Sequence, residues 1–319
     1  MFTKIKNPIL FQGSLTKLAY FEGWYYKVVS KDQNYTLAVI PGISLNKEDS
    51  HAFIQIILTK IVDDITKLQT EYIRFKKTDF IIVNNPFKLK IGKNVFTKTF
   101  IKLSIEKNNI KLKGKISFEN HQPISKSFFS PSIMGFFSYL PFMECYHGIV
   151  SMNHRVIGEL EVSDNTIDFT AGKGYIEKDW GKSFPSKYIW MQSNNFSNEE
   201  TSIMFSQAII PFLGLKFKGL IVNLVINNNE YRFATYNNAK VKKSIIQEKS
   251  VEFIITKSKL KLYIKASSDK AKSLASPKNG LMNQTIKEGL SGMIYIELYN
   301  NNKLIYQDTG FNAGIEIMM

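Results

Sequence analysis

The stretch Ile101 to Phe118, IKLSIEKNNIKLKGKISF, reads as two short strands around a turn. Ile101, Leu103 and Ile105 alternate with Lys102 and Ser104, and Ile110, Leu112, Ile116 and Phe118 alternate with Lys111, Lys113 and Lys115. Successive side chains of a strand point to opposite faces, so this is a half-buried hairpin with its lysines outward and its turn at Asn108 and Asn109. The same style returns late in the chain with Val251, Phe253 and Ile255, then Leu260, Leu262 and Ile264, then Ile294, Ile296 and Leu298 before a turn at Asn300 to Asn302. Helical periodicity is scarce. Only the Ser267 to Asn283 region, interrupted by Pro277 and Gly280, qualifies as a weak helix or loop candidate.

A chain of 319 residues exceeds the size at which a single core stops growing, about 250 to 300 residues, so two cores are expected. An internal echo supports this. Tyr20, Phe21, Glu22, Gly23 and Trp24 share the pattern Tyr, apolar, Glu, short gap, Trp with Tyr175, Ile176, Glu177, Lys178, Asp179 and Trp180, about half the chain later. The spacing predicts a duplicated domain, each half opening with an acid and an indole, over residues 1–165 and 166–319. The expected class is all-β: two tandem antiparallel β-barrels with minor helix, since closure removes the exposed edges of a long meander. Sandwiches are the alternative. A barrel of about eight strands can enclose one small ligand.

With 44% hydrophobic and 22% charged residues the chain is globular. Its single cysteine, Cys145, excludes an internal disulfide and a cysteine-based metal cluster, and no two histidines have zinc-site spacing. The first twenty residues hold no apolar stretch suited to a signal peptide, so the expected compartment is the cytoplasm. The longest uncharged stretch, Ser127 to Met143, is broken by Pro131, Gly135 and Pro141 and is shorter than a membrane-spanning helix of about 20 residues. Rich in Phe128, Phe129, Phe136, Phe137 and Phe142, it reads as an apolar lid or wall that could dip into a bilayer surface. The net charge of +15 comes from lysines scattered through strand-like segments, with Lys, Asn and Ile over-used together as in an AT-rich genome. The first reading is a lysine-coated solvent face and the second is attraction to an anionic membrane surface; no nucleic-acid partner is expected. The oligomeric state is left open.

The chemistry concentrates in Gly174 to Phe196, GYIEKDWGKSFPSKYIWMQSNNF. Strand faces rarely carry Glu177, Lys178, Asp179, Trp180 and Trp190 together without a pocket to line. Three long segments, YFEGWYYK at Tyr20 to Lys27, PSIMGFFSYLPFMECYHGIVSMNHRVIGEL at Pro131 to Leu160 and YIEKDWGKSFPSKYIWMQSNNF at Tyr175 to Phe196, resemble the tocopherol cyclase family, as does Gly310 to Ile317. The resemblance runs nearly end to end. It implies paired lipocalin-like barrels, related to those of carotenoid hydratases and some cofactor-free pericyclic enzymes, and it implies closure of a prenylated quinol to a chromanol. This sequence departs from the family where GKSFP follows Trp180 in place of a more glycine-rich loop.

Closing such a ring requires protonating a trisubstituted alkene to a tertiary cation, which a neighbouring phenol oxygen captures. An acid, a dry pocket and some stabilisation of positive charge suffice, so neither a metal nor a cofactor is expected. No nucleophile elbow, phosphate-binding loop or dinucleotide fingerprint occurs. The acid candidates are Glu177, Asp179, Glu22 and Glu144, because a carboxyl group in an apolar pocket can stay protonated near neutral pH. Glu177 is the first choice; the competing reading pairs it with Lys178 or Lys173. Trp24, Tyr25, Tyr146, Trp180 and Trp190 offer aromatic faces to a carbocation. His147 could relay a proton in a pair with Glu144, His51 is a further titratable candidate in the pocket, and His121 and His154 read as loop residues. The expected partner is a lipophilic small molecule, either transformed or, on the rival reading, merely carried. Addition of water to an isoprenoid double bond is a third reading.

Overall fold

Alternating apolar positions can be buried only if strands pair into a sheet whose one face meets a core. The computed structural model describes residues 2–63, 65–107, 110–163, 165–212, 214–268 and 270–319. Its first sheet holds β1 (Tyr20–Val29), β2 (Tyr35–Leu45), β3 (His51–Val62), β4 (Ile65–Lys76), β5 (Phe80–Asn84), β6 (Phe87–Ile91), β7 (Asn94–Thr97), β8 (Phe100–Lys107), β9 (Ile110–Glu119), β10 (Cys145–Val162), β11 (Asn165–Asp168) and β12 (Lys173–Gly181). The hydrogen-bonded order is β4-β3-β2-β1-β12-β10-β9-β8-β7-β6-β5, with β11 on β10. The second holds β13 (Tyr188–Ser193), β14 (Ser202–Phe212), β15 (Leu215–Ile226), β16 (Asn229–Ala234), β17 (Lys240–Ile246), β18 (Ser250–Lys257), β19 (Leu260–Ser267), β20 (Lys272–Lys278), β21 (Leu281–Asn300) and β22 (Lys303–Met318). Its order is β16-β15-β14-β13-β22-β21-β19-β18-β17, with β20 on β21. Among the described residues, helix is confined to Phe2–Lys6 and three 3-10 turns.

Both sheets curl. In a flat sheet, strands about 4.8 Å apart would hold β1 and β5 roughly 30 Å from each other. Yet Trp24 on β1 touches Phe80 at the start of β5 and Phe87 on β6, with ring centroids 6.3 and 5.7 Å apart. In the second sheet Phe205 on β14 meets Phe253 on β18 at 4.6 Å. Each sheet therefore wraps one apolar core, the first holding Ile54, Leu89, Ile101 and Ile176, the second Val222, Ile264 and Ile296. The Ile101 to Phe118 hairpin is β8 and β9, paired from Phe100↔Ser117 to Lys107↔Ile110, while its turn at Asn108 and Asn109 lies outside the described residues.

Three expectations change. The chain divides into one unit of residues 1–184 with Leu274–Thr285 and another of Pro185–Ser273 with Ile286–Met319, so the first boundary falls after Phe184 and not after residue 165. The cause is β12, which pairs with both β1 and β10 and completes the first sheet. The two acid-and-indole motifs consequently do not open two domains: they are antiparallel neighbours, with Glu22 opposite Trp180 and Tyr25 opposite Glu177. Repetition survives in the topology, since β13 sits beside β22 as β1 sits beside β12, each at the head of a four-strand meander. Finally, the described residues of Ser267 to Asn283 form no helix. The chain enters β20, turns at Asn279 and Gly280, both at positive φ, and leaves on β21. A Cβ on Gly280 would lie 2.4 Å from the carbonyl oxygen of Leu45 and the amide nitrogen of Tyr20, so this turn requires glycine.

Candidate active site

The period of two splits the Tyr175 to Trp180 motif between the faces of β12. Ile176, Lys178 and Trp180 share one face; Tyr175, Glu177 and Asp179 share the other. Residues opposite on β1 and β10 follow the same division, giving two clusters on opposite faces of the same three strands.

The inner cluster centres on Glu22, fully buried. Its Oε1 accepts the Gln12 amide at 2.8 Å and its Oε2 the Gly13 amide at 3.0 Å. The Tyr20 hydroxyl also donates to Oε2, and the Lys178 ammonium pairs with Oε1. Lys178 donates further to the Leu10 carbonyl and lies 4.5 Å from the ring centroid of Trp24 and 5.1 Å from that of Trp180. Burial lowers the Lys178 pKa to about 8, although Glu22 acts to raise it. Trp24 donates its indole N–H to Ile9 at 2.7 Å. Glu22 is thus encircled by donors and ties residues 9–13 to the barrel, which is a structural position and not that of a proton donor. The faces of Trp24 and Trp180 are turned to a resident cation, the Lys178 ammonium. Lys178 pairs with Glu22 and not with Glu177.

The outer cluster is His147, Glu177, Asp179 and Tyr175. His147 Nδ1 is 2.8 Å from Asp179 Oδ1, a hydrogen bond, and Nε2 is 3.3 Å from Glu177 Oε2. Burial alone would lower the His147 pKa, but Glu177 and then Asp179 raise it to about 9. The ring is therefore an imidazolium at neutral pH, with Nδ1–H donated to Asp179. Nε2 is buried and makes no hydrogen bond among the described residues. The Tyr175 hydroxyl donates to Glu177 Oε2, and burial, then Glu177, keeps the phenol protonated far above its usual range. Tyr25, opposite Glu177, meets Tyr175 edge to face at 6.5 Å. One ligand-type atom from each of His147, Glu177 and Asp179 lies within 4.8 Å of the other two, and Nδ1 of His147 is hydrogen-bonded to Asp179 Oδ1.

The other predicted residues disperse. Glu144 is exposed and does not pair with His147. It lines a cavity of about 570 Å³ in the first unit together with Tyr20, Met143, Tyr146 and Trp180. There Tyr146 stacks on Trp180 at 5.5 Å and 7°, and its hydroxyl donates to Leu140 at 2.5 Å. His51 at the start of β3 contacts Asp49 at 3.2 Å and the Tyr72 hydroxyl at 2.7 Å; burial, then Arg74, lowers its pKa. Trp190 belongs to the second unit, on β13 opposite Glu316, whose carboxylate accepts the Tyr188 hydroxyl at 2.5 Å. His154 is a buried strand residue and not a loop residue, its ring 5.0 Å from that of His121. Burial and then the nearby Asp179 hold the Cys145 thiol well above its usual range. Sequence reasoning missed Tyr175 and Tyr20 as partners of the two acids. The Tyr-x-Glu spacing carried that signal, since residues i and i+2 of a strand share a face.

This arrangement sits in a chain whose residues 107–318, about two thirds of its length, match the tocopherol cyclase-like family model. The chain belongs to the tocopherol cyclase-like family. Over 77 residues, 24% of this chain, it is 30% identical to the Oryza sativa subsp. japonica protein named "Probable tocopherol cyclase, chloroplastic", and the match spans 16% of that protein. Kievitone hydratase from Nectria haematococca is similar in structure, with TM-score 0.52 and 12% identity, covering 97% of this chain and 93% of that one. An AttH candidate from Nitrosomonas europaea aligns with TM-score 0.55 and 10% identity over 94% and 93% of the two chains. CghA aligns with TM-score 0.55 and 8% identity over 94% and 88%. These likenesses show the fold, the two-unit lipocalin-like arrangement that the family resemblance implied.

Proposed function

We propose that this member of the family is a cofactor-free acid catalyst that protonates an alkene of a lipophilic, prenylated quinol and lets the quinol oxygen close the ring. The observation that carries the reading is the half-buried His147 imidazolium, hydrogen-bonded at Nδ1 to Asp179, with Nε2 3.3 Å from Glu177 and making no hydrogen bond among the described residues. Nε2–H gives its proton to the less substituted alkene carbon, leaving a tertiary cation. The phenol oxygen attacks that cation and forms the C–O bond. The phenolic proton then returns to His147 through Glu177, so the reaction is a net isomerisation. The negative charges of Glu177 and Asp179 hold the imidazolium before transfer, and the Tyr175 hydroxyl keeps Glu177 oriented. The family membership and the name of the rice relative support the substrate class.

The test is turnover of a phytyl or geranylgeranyl quinol against pH. Activity needs the protonated ring, so kcat should be flat at neutral pH and fall as pH rises through about 9. His147→Gln should keep quinol binding, followed by tryptophan fluorescence, and lower kcat by about 10² or more. Glu177→Gln removes one of the two charges that hold the proton, so it should move the alkaline limb to lower pH. Full activity of His147→Gln removes His147 from the chemistry. Tight binding with no product from any prenylated quinol points instead to a carrier.

A further inference from the structure

The Ser127 to Met143 stretch is an anchored segment that nevertheless presents large apolar side chains to water. Ile133, Met134 and Gly135 are buried, the Ser132 and Ser138 hydroxyls bond to each other, and the Tyr139 hydroxyl donates to the Phe128 carbonyl at 2.8 Å. Phe128 and Phe129 are nonetheless 73% and 78% exposed, in edge-to-face contact at 5.3 Å, and Phe136 and Phe142 are about half exposed. Soluble surfaces seldom hold several phenylalanines outward on an ordered segment without a partner for them.

Cations lie beside the C-terminal part of this segment and at its N-terminal end. Phe142, Leu140 and Ser138 line the 570 Å³ cavity together with Lys4, Lys17 and Lys182, against one acid, Glu144. Lys126 donates to the Lys6 carbonyl at 2.6 Å, bringing a further ammonium to the N-terminal end of the same segment. Leu18, beside Lys17, is 61% exposed. Aromatic tips among lysines, with little opposing acid, are complementary to one kind of partner: apolar side chains enter the acyl boundary while ammonium groups meet anionic headgroups.

We infer that the exposed Phe128, Phe129, Phe136 and Phe142 of this segment, with Lys4, Lys17 and Lys182 around the cavity that Phe142 lines, form a docking surface for an anionic lipid bilayer. Docking uses no catalytic group, so it stands or falls separately from the reaction proposed above.

The experiment is co-sedimentation of the full chain with phosphatidylcholine vesicles, with and without phosphatidylglycerol. The chain should sediment with the anionic vesicles, bind pure phosphatidylcholine more weakly, and be released progressively by salt. Phe128→Ser/Phe129→Ser should lower partitioning at least about tenfold, because two exposed rings lose their apolar burial. A triple Lys4→Ala/Lys17→Ala/Lys182→Ala variant should remove the preference for phosphatidylglycerol. These side chains contribute little to the core, so circular dichroism and the thermal midpoint should be unchanged, which separates loss of docking from loss of fold. No binding to either vesicle, or binding unchanged in the double phenylalanine variant, overturns the inference. Binding equal on both vesicle types removes the lysines from it.

Discussion

Lys178 and His147 show how the same strand neighbourhood sets opposite protonation behaviour. The Lys178 and Glu22 side chains are both fully buried and paired, and such a pair is costly to break from one side. Lys178→Met should destabilise the first unit by about 3–5 kcal/mol in urea unfolding, while Glu22→Gln/Lys178→Met should recover a substantial part, because the stranded carboxylate is gone. A double variant no better than the single would show that the packing of the lysine stem, and not the charge, carries the effect. His147 contributes in the other direction. Its folded pKa of about 9 stands above the ordinary 6.5, so its stabilisation is fully present below pH 6.5 and is lost as pH rises through about 9. Urea midpoints of the parent and His147→Gln should therefore converge between pH 6 and pH 9.5, the parent losing on the order of 3 kcal/mol. A constant gap would mean that the ring is not held as a cation. The raising of Lys178 stability above its folded pKa of about 8 is common to both proteins and cancels in the difference.

At the level of the strand, β12 is where alternation mattered most. Glu22, Trp24, His147, Glu177, Asp179 and Trp180 all read as site candidates in the sequence, but neighbours along a strand face opposite ways. Lys178 therefore points to Glu22 while Glu177 and Asp179 point to His147. The same strand depends on close approach at Gly174, where a Cβ would lie 2.1 Å from His154 Nε2. Gly174→Ala must displace a fully packed histidine on β10 and should cost about 1–3 kcal/mol, read as a lower thermal midpoint. Paired with His154→Ala, which clears the space, the glycine replacement should become nearly neutral. If it remains as damaging, the strain lies in the backbone of β12 and not in the contact with His154.

For the whole molecule, the division of the chain is the main finding. Leu274–Thr285 belongs to the first unit, where Ser44 donates to the Gly280 carbonyl, Asn46 donates to the Asn279 carbonyl at 2.8 Å, and Gln55 accepts the Ala275 amide at 2.9 Å. A chain ending at residue 184 lacks these partners, so its first-unit amides should exchange hydrogen faster than in the full chain, most of all on β2 and β3. Equal protection would show that residues 1–184 are self-sufficient. Alternation in Ile101 to Phe118 and its later counterparts was enough to read strands, an all-β class and two cores, because a period of two is a property of the backbone and is written locally. The family was legible for the same reason, in contiguous motifs. Pairing is not local. Which strand lies beside β1, and hence that Glu22 meets Lys178, depends on residues more than a hundred positions apart, and even His147 and Glu177 meet only across two paired strands. Only the tertiary structure decided that His147 is held as a cation, since its pKa is set by carboxylates that the fold alone brings within 3.3 Å.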